Sequence, residues 1–503
     1  MRRAAMLVAT AVLAASAAAP LAAQRAAQRA ATNGVNPTRV GLAAFADSLL
    51  DAPMWRSAHW GVLVVDPVSG DTLYSRNAGK LFLPASNAKL VTAAVALAQL
   101  GTGYRYTTRV LARPPREGTI DGDVVVVGSG DPTISDSLSG RALFPLLELA
   151  DTLRARGVWR ITGALASGAN VFPGDTLGLG WAWDDLNSGY AAPVDELLFN
   201  EGFARVTVYG AAQPGGPVRW QTTPATTLPK IGRVEVVTDR NCCMIRSRVT
   251  AEYDMRGARP LLVLRGTVRA GDSAHVTVAL RAPNTAFLEA FYEALGWRGV
   301  DVDGGVRADT VADTTGLVTL ATRASPPLPA VLTAFQKPSQ NQIGEILLRT
   351  LGRERTGVGT ADSGLVVVRR QLADWGIDSS MAVLRDGSGL SRQNFLAPEA
   401  IVRVLDVMRR RADFDSYYQA LPVGGVDGTI RERTIGTLAA GNVRAKTGTL
   451  DKARALSGYV TTADGQILLF SMIANNHTVP TREVERVQDA LLAWLAGMSL
   501  RLR

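Results

Sequence analysis

The sequence predicts an α+β protein, an antiparallel sheet flanked by helices and interrupted by a large β-rich insertion. Three observations carry this expectation. Residues 61–65 and 72–74 read as hairpin arms across Pro67-Val68-Ser69-Gly70. Residues 456–461 and 467–474 form a second hairpin around the turn Ala463-Asp464-Gly465-Gln466. Between these ends, from residue 105 to residue 281, short β-like runs separated by Gly, Pro and Asp turns replace helical periodicity.

In chain order, residues 1–23 carry Arg2-Arg3, an Ala/Leu/Val run and the small pair Ala22-Ala23, the pattern of a cleaved signal peptide. Residues 24–39 read as a linker. Leu42, Phe45, Leu49 and Leu50 are spaced for a helix over 40–50. After the first hairpin, Pro84-Ala85-Ser86 leads into an Ala/Leu/Val-rich helix over 89–100 that stops at Gly101, with Ser86 at the N-cap or first turn. The insertion, taken as 106–281 and as two small subdomains, contains the runs Val124–Val127, 205–209, 234–237, 261–264 and 276–280. Helices follow at 285–295 and 341–351. A strand at 443–446, the second hairpin and a helix over 483–495 close the chain. The sheet-and-helix domain is therefore discontinuous, 40–105 and 282–503.

Composition bounds the function. At 503 residues, 47% hydrophobic and 20% charged, the chain is neither a disordered tail nor a coiled coil. The net charge is +9, and of the 54 cationic residues only six are lysine. No basic run is interleaved with aromatics, and Arg409-Arg410-Arg411 reads as a solvated helix face, so no nucleic-acid partner is expected. Loss of Arg2 and Arg3 leaves 9 − 2 = +7, which favours a polyanionic surface such as a cell wall. Cys242 and Cys243 are adjacent and can staple nothing distant; a vicinal disulfide and two free thiols both remain open. No His/Cys grouping has zinc spacing, so neither metal nor cofactor is expected.

The three histidines His59, His275 and His477 lie in ordinary contexts, and no Gly-x-Ser-x-Gly elbow supports a Ser-His-Asp triad. Ser86 and Lys89 stand three apart at a helix start, which puts both side chains on one face. A lysine amine can take a serine proton if burial or a second cation lowers its pKa from ~10.4, and Lys446 is the candidate for that cation. Ser339 and Asn341, ahead of a helix, offer a hydroxyl and a carboxamide to relay a proton and hold a substrate amide. Lys446-Thr447-Gly448-Thr449 reads as an edge strand. Its glycine would let an extended substrate approach, Lys446 and the Thr hydroxyls would bind a terminal carboxylate, and the Thr449 and Ser86 N–H groups would form an oxyanion hole.

The ordered segments Ser86-Asn87-Ala88-Lys89, Ser339-Gln340-Asn341 and Lys446-Thr447-Gly448 resemble the signature shared by class A β-lactamases and penicillin-binding proteins. The resemblance narrows to the class C low-molecular-mass penicillin-binding proteins, the D-Ala-D-Ala carboxypeptidase/endopeptidases. It rests on Gly130-Asp131-Pro132-Thr133, Trp181-Ala182-Trp183-Asp184-Asp185, Asp386-Gly387-Ser388-Gly389-Leu390-Ser391-Arg392 and the run from Leu421 to Thr429. Ser86 and Ser339 are 339 − 86 = 253 positions apart, a gap long enough for the inserted domains of that family. Gln340 departs from the family, where Asp is frequent.

The resemblance implies a penicillin-recognising, transpeptidase-like fold and a periplasmic serine DD-peptidase. Its substrates would be peptidoglycan stem peptides ending in D-Ala-D-Ala and D-Ala-diaminopimelate cross-links, with β-lactams as inhibitors. It also implies that Asp185, with Tyr190, takes the ammonium of diaminopimelate and Arg392 its carboxylate. A β-lactamase or esterase on the same scaffold, and a catalytically silent wall-binding protein, are the alternatives.

Overall fold

The computed structural model describes residues 39–500 apart from 169, 241–243, 245, 258–259 and 309–310. The expected signal peptide and Cys242 and Cys243 lie outside the described residues. The chain forms two compact units. One comprises the chain through Thr102, Leu332–Gln340 and Leu365–Arg503; the other comprises Gly103–Val331 and Asn341–Gly364.

The first unit is built on a five-stranded, wholly antiparallel sheet in the order Arg444–Leu450, Ala453–Thr461, Ile467–Asn475, His59–Val65, Thr72–Arg76. Both predicted hairpins are present. Alternation along the strands gives the sheet two unlike faces. Trp60, Val62, Leu456, Phe470 and Met472 point to one side, where they form a core with helices Arg39–Leu50 and Thr481–Gly497. The other side faces helix Pro398–Arg409 and the turn Ala85–Asn87, and there the register aligns Lys446 with Ser457 and Ser457 with Ser471. A polar row thus crosses the middle of an otherwise apolar sheet.

The second unit holds a five-stranded mixed sheet in the order Val306–Arg307, Leu165–Ser167, Val124–Val127, Thr107–Ala112, Val318–Ala324. Helices Phe144–Ala155 and Pro283–Trp297 contribute to its core. Two three-stranded sheets share a separate core of Val206, Val208, Val249, Leu262, Leu264, Val268 and Val278. The unit runs past residue 281 because Val318–Ala324 pairs antiparallel with Thr107–Ala112 and Pro283–Trp297 packs into its core. Among the described residues no helix is long and apolar enough to cross a membrane.

Candidate active site

Ser86 lies in a 3-10 turn, Ala85–Asn87, that runs directly into helix Ala88–Leu100. It does not cap that helix. The N-cap position is Asn87, and it makes no side-chain cap either. Its carboxamide turns to the sheet instead: Nδ2 donates to the Lys446 carbonyl at 2.8 Å, and Oδ1 accepts from Ser457 Oγ at 2.6 Å. Ser471 Oγ lies 2.9 Å beyond Ser457. The polar row on the sheet thus anchors the turn that carries Ser86.

Ala85, just before Ser86, has φ +47°, a left-handed conformation that costs a non-glycine residue of order 1 kcal/mol. Two glycines leave room for this turn. A Cβ on Gly389 would meet the Ala85 carbonyl oxygen at 2.0 Å, and one on Gly448 would meet the Pro84 carbonyl oxygen at 2.4 Å. Gly448 was expected to admit a substrate. Its missing side chain faces the Ser86 turn instead, and strand-to-turn packing is what requires glycine there.

Lys89, one helical turn after Ser86, is completely buried. Its Nζ lies 2.9 Å from Ser86 Oγ and 2.5 Å from the carbonyl of Ser388. The Phe335 ring centroid is 5.9 Å away. That carbonyl is held by a loop wound around the buried Asp386 carboxylate, which accepts from the N–H groups of Gly389 and Ser391 at 2.7 and 2.6 Å and from Asn394 Nδ2 at 2.7 Å. The Asp386-to-Ser391 segment, read from the sequence only as a family marker, therefore fixes an acceptor for Lys89.

Lys446 is equally buried, and its Nζ donates to Ser339 Oγ at 2.8 Å and to the Thr447 carbonyl at 3.0 Å. Burial first, then the cations Lys89 and Arg454, hold its ammonium well below the usual lysine range. Lys446 was expected to be the cation that tunes Lys89; here it is itself strongly perturbed. Ser339 sits at φ +67°, in the turn between helices Leu328–Gln336 and Asn341–Thr356. The turn is tied down by Lys337, whose Nζ pairs with Asp427 at 2.5 Å and whose carbonyl accepts from the Thr429 N–H at 3.1 Å.

Strand Arg444–Leu450 is an edge strand. The Ala445 N–H leaves the sheet for the Pro422 carbonyl, so strand alternation turns the N–H groups of Thr447 and Thr449 to the same open edge. The hydroxyls are engaged within the protein. Thr447 Oγ1 lies 2.7 Å from Thr429 Oγ1, and Thr449 Oγ1 accepts from the buried Arg454, which also pairs with Glu485.

Three further candidates meet in the second unit. Tyr190 OH donates to Asp185 at 2.6 Å, and Asn341 Nδ2 donates to the Tyr190 carbonyl at 2.7 Å. Partial burial, then the Asp185 hydrogen bond, raises the Tyr190 phenol above its ordinary pKa. Arg392 stands in the first unit, exposed at the end of the Asp386 loop. Sequence reading missed Asn87, Ser457, Ser471, Thr429 and Arg454. Of these only Asn87 and Thr429 lie inside quoted segments, and the others are placed solely by sheet register.

A serine in reach of a buried lysine, with a second lysine–serine pair beside an open strand edge, is the equipment of a serine peptidase that works without histidine. The chain belongs to the D-Ala-D-Ala carboxypeptidase 3 (S13) family, which it matches over residues 42–498. It is 35% identical over 466 residues to a D-alanyl-D-alanine carboxypeptidase of Actinomadura sp. (strain R39), covering 90% of this chain and 83% of that one. It is 26% identical to the D-alanyl-D-alanine carboxypeptidase DacB of Haemophilus influenzae, covering 80% and 82%. Its fold resembles the crystal structure of penicillin binding protein 4 (DacB) from Haemophilus influenzae, with a TM-score of 0.77 at 24% identity, covering 90% of this chain and 99% of that one.

Proposed function

We propose that this protein is a serine DD-peptidase of peptidoglycan metabolism that removes the terminal D-Ala from stem peptides ending in D-Ala-D-Ala. D-Ala-diaminopimelate cross-links are its second substrate. The observation that carries this reading is the 2.9 Å approach of the fully buried Lys89 Nζ to Oγ of the partly exposed Ser86. Lys89 in its neutral form accepts the Ser86 proton while still donating to the Ser388 carbonyl. Ser86 Oγ attacks the D-Ala carbonyl carbon, and the oxyanion is met by the N–H groups of Ser86 and Thr449. The C–N bond then breaks, and the leaving amine takes its proton through Ser339, which Lys446 supplies. Water then attacks the ester carbonyl, losing a proton to Lys446 through Ser339, and Lys89 returns its proton to Ser86 Oγ as the ester C–O bond breaks.

Asn341 holds the substrate amide in this scheme, and Lys446, Thr447 and Thr449 attract its terminal carboxylate. Because both threonine hydroxyls are already engaged and the Thr449 N–H serves the oxyanion, the Thr447 N–H and the nearby cations Lys446 and Arg454 are the main attraction. Asp185 with Tyr190 receives the ammonium of diaminopimelate and Arg392 its carboxylate. The amino-terminal signal sequence directs the enzyme to the periplasm, and β-lactams acylate Ser86 as substrate mimics. Release of D-Ala from a peptide ending in D-Ala-D-Ala, measured for wild type and Ser86→Ala, tests the reading: turnover is expected only from wild type, and equal turnover by both would refute it.

A further inference from the structure

Two half-exposed tryptophans line one open cleft of about 620 Å³ in the second unit, Trp220 and Trp297 at 49% and 55% exposure. Tryptophans placed for packing behave differently here: Trp55 and Trp60 are 4% and 2% exposed and meet edge to face in the first core. Trp220 stands on the edge strand Arg219–Thr223, opposite Val208 on the core-facing side, where no further strand of that sheet covers it. Thr222, two residues on, shares its face. Trp297 ends helix Pro283–Trp297, with Glu293 one turn earlier on the same face.

The polar lining is built around one charged side chain, Glu293. The Glu293 carboxylate accepts from the Thr227 N–H and hydroxyl at 2.9 and 2.6 Å, and Thr227 Oγ1 accepts from Lys230 at 2.8 Å. Thr222 Oγ1 donates to the Thr226 carbonyl at 2.9 Å, and Thr226 Oγ1 accepts from the Leu228 N–H at 3.2 Å, so each hydroxyl oxygen keeps acceptor capacity for a ligand. Large flat rings with wet edges, set among hydroxyl oxygens and one hydrogen-bonded carboxylate, suit a ligand with C–H faces and hydroxyl or amide edges. A sugar ring is built that way. A stem peptide, which carries free carboxylates, would meet the like charge of Glu293 here.

We propose that the Trp220/Trp297 cleft is a seat for the glycan strand of peptidoglycan, an uncharged run of N-acetylated sugar rings that stack on the two indoles. The proposal rests on the reading of peptidoglycan as substrate. Every stem peptide hangs from that glycan, so a glycan seat on the same chain raises the local concentration of scissile bonds without touching them.

The test uses the full-length protein and soluble glycan strands whose stem peptides are removed and whose freed lactyl carboxyls are capped as amides, so that the probe is uncharged, titrated calorimetrically. Wild type is expected to bind, and Trp220→Ala/Trp297→Ala to bind at least about tenfold more weakly, the scale of losing aromatic anchors. Turnover of a short soluble D-Ala-D-Ala peptide should not change, whereas release of D-Ala from intact sacculi should slow. Trp220→Phe/Trp297→Phe, which keeps flat rings, should retain most of the affinity. Three results overturn the proposal: no glycan binding by an enzyme that still turns over the short peptide, equal binding by wild type and the alanine variant, or equal loss in the alanine and phenylalanine variants. Glycan binding by a protein that does not acylate at Ser86 would support the seat and remove the DD-peptidase reading instead.

Discussion

Lys446 Nζ donates to Ser339 Oγ at 2.8 Å, joining a buried lysine to a partly exposed serine 107 positions away. A cation stripped of water beside Lys89 and Arg454 is costly, and a fold keeps such a group where its proton is used. Its folded pKa lies below that of an unfolded lysine, ~10.4, so between those values the unfolded chain binds the extra proton and wild-type stability rises with pH. Lys446→Met has nothing to titrate there. Denaturant melts across neutral to alkaline pH should give a flatter curve for the variant, and stopped-flow acylation by benzylpenicillin should slow by about 10²-fold or more. Unchanged acylation would remove Lys446 from the proton path.

Gly448→Ala places a methyl group 2.4 Å from the Pro84 carbonyl oxygen, which is backbone and cannot swing aside. The strand and the Ser86 turn must separate, at about 1–3 kcal/mol for overpacking. The expected signature is a modest drop in melting temperature with a disproportionate loss of acylation. Normal acylation would show that the turn tolerates the shift.

Asn87→Ala deletes a donor to the Lys446 carbonyl and an acceptor for Ser457, leaving both partners buried. The expected loss is about 1–3 kcal/mol of stability by chemical denaturation. Because the same bonds fix the Ser86 turn to the sheet, acylation should fall as well, and Ser457→Ala should reproduce part of the stability loss.

Glu196, in the second unit, is 3% exposed; one oxygen accepts from Asn284 Nδ2 at 3.0 Å and the other has no hydrogen-bond partner. Burial first, then Asp195, pushes its carboxyl far above the ordinary range. Above ~4.3, where an unfolded glutamate ionises, the native state retains a proton that the unfolded state has lost, so stability falls as pH rises. Glu196→Gln should therefore gain on wild type with rising pH, by up to about 1.4 kcal/mol per unit, in paired melts at mildly acidic and neutral pH. Parallel curves would show that Glu196 is ionised in the fold.

Local order was legible: the two hairpins, the helix after Ser86 and the three-residue step to Lys89 follow from turn chemistry and helical periodicity. The β-rich texture of the insertion was legible for the same reason. Its end was not, because Val318–Ala324 pairs with a strand about 200 positions earlier, and antiparallel pairing leaves no local mark on either partner. Ser457 and Ser471 look like ordinary serines until the register sets them beside Lys446. Gly448 was read as room for a ligand because its close contact with Pro84 spans two elements that only the folded sheet brings together.

The central claim is that Ser86 is a nucleophile activated by Lys89, and mass spectrometry of the intact protein after brief exposure to benzylpenicillin tests it most directly. A lasting adduct mapped to Ser86 is expected in wild type and none in Ser86→Ala. Drug hydrolysis that depends on Ser86, with no adduct retained, would make the protein a β-lactamase; the absence of both adduct and hydrolysis would contradict Ser86 as the nucleophile.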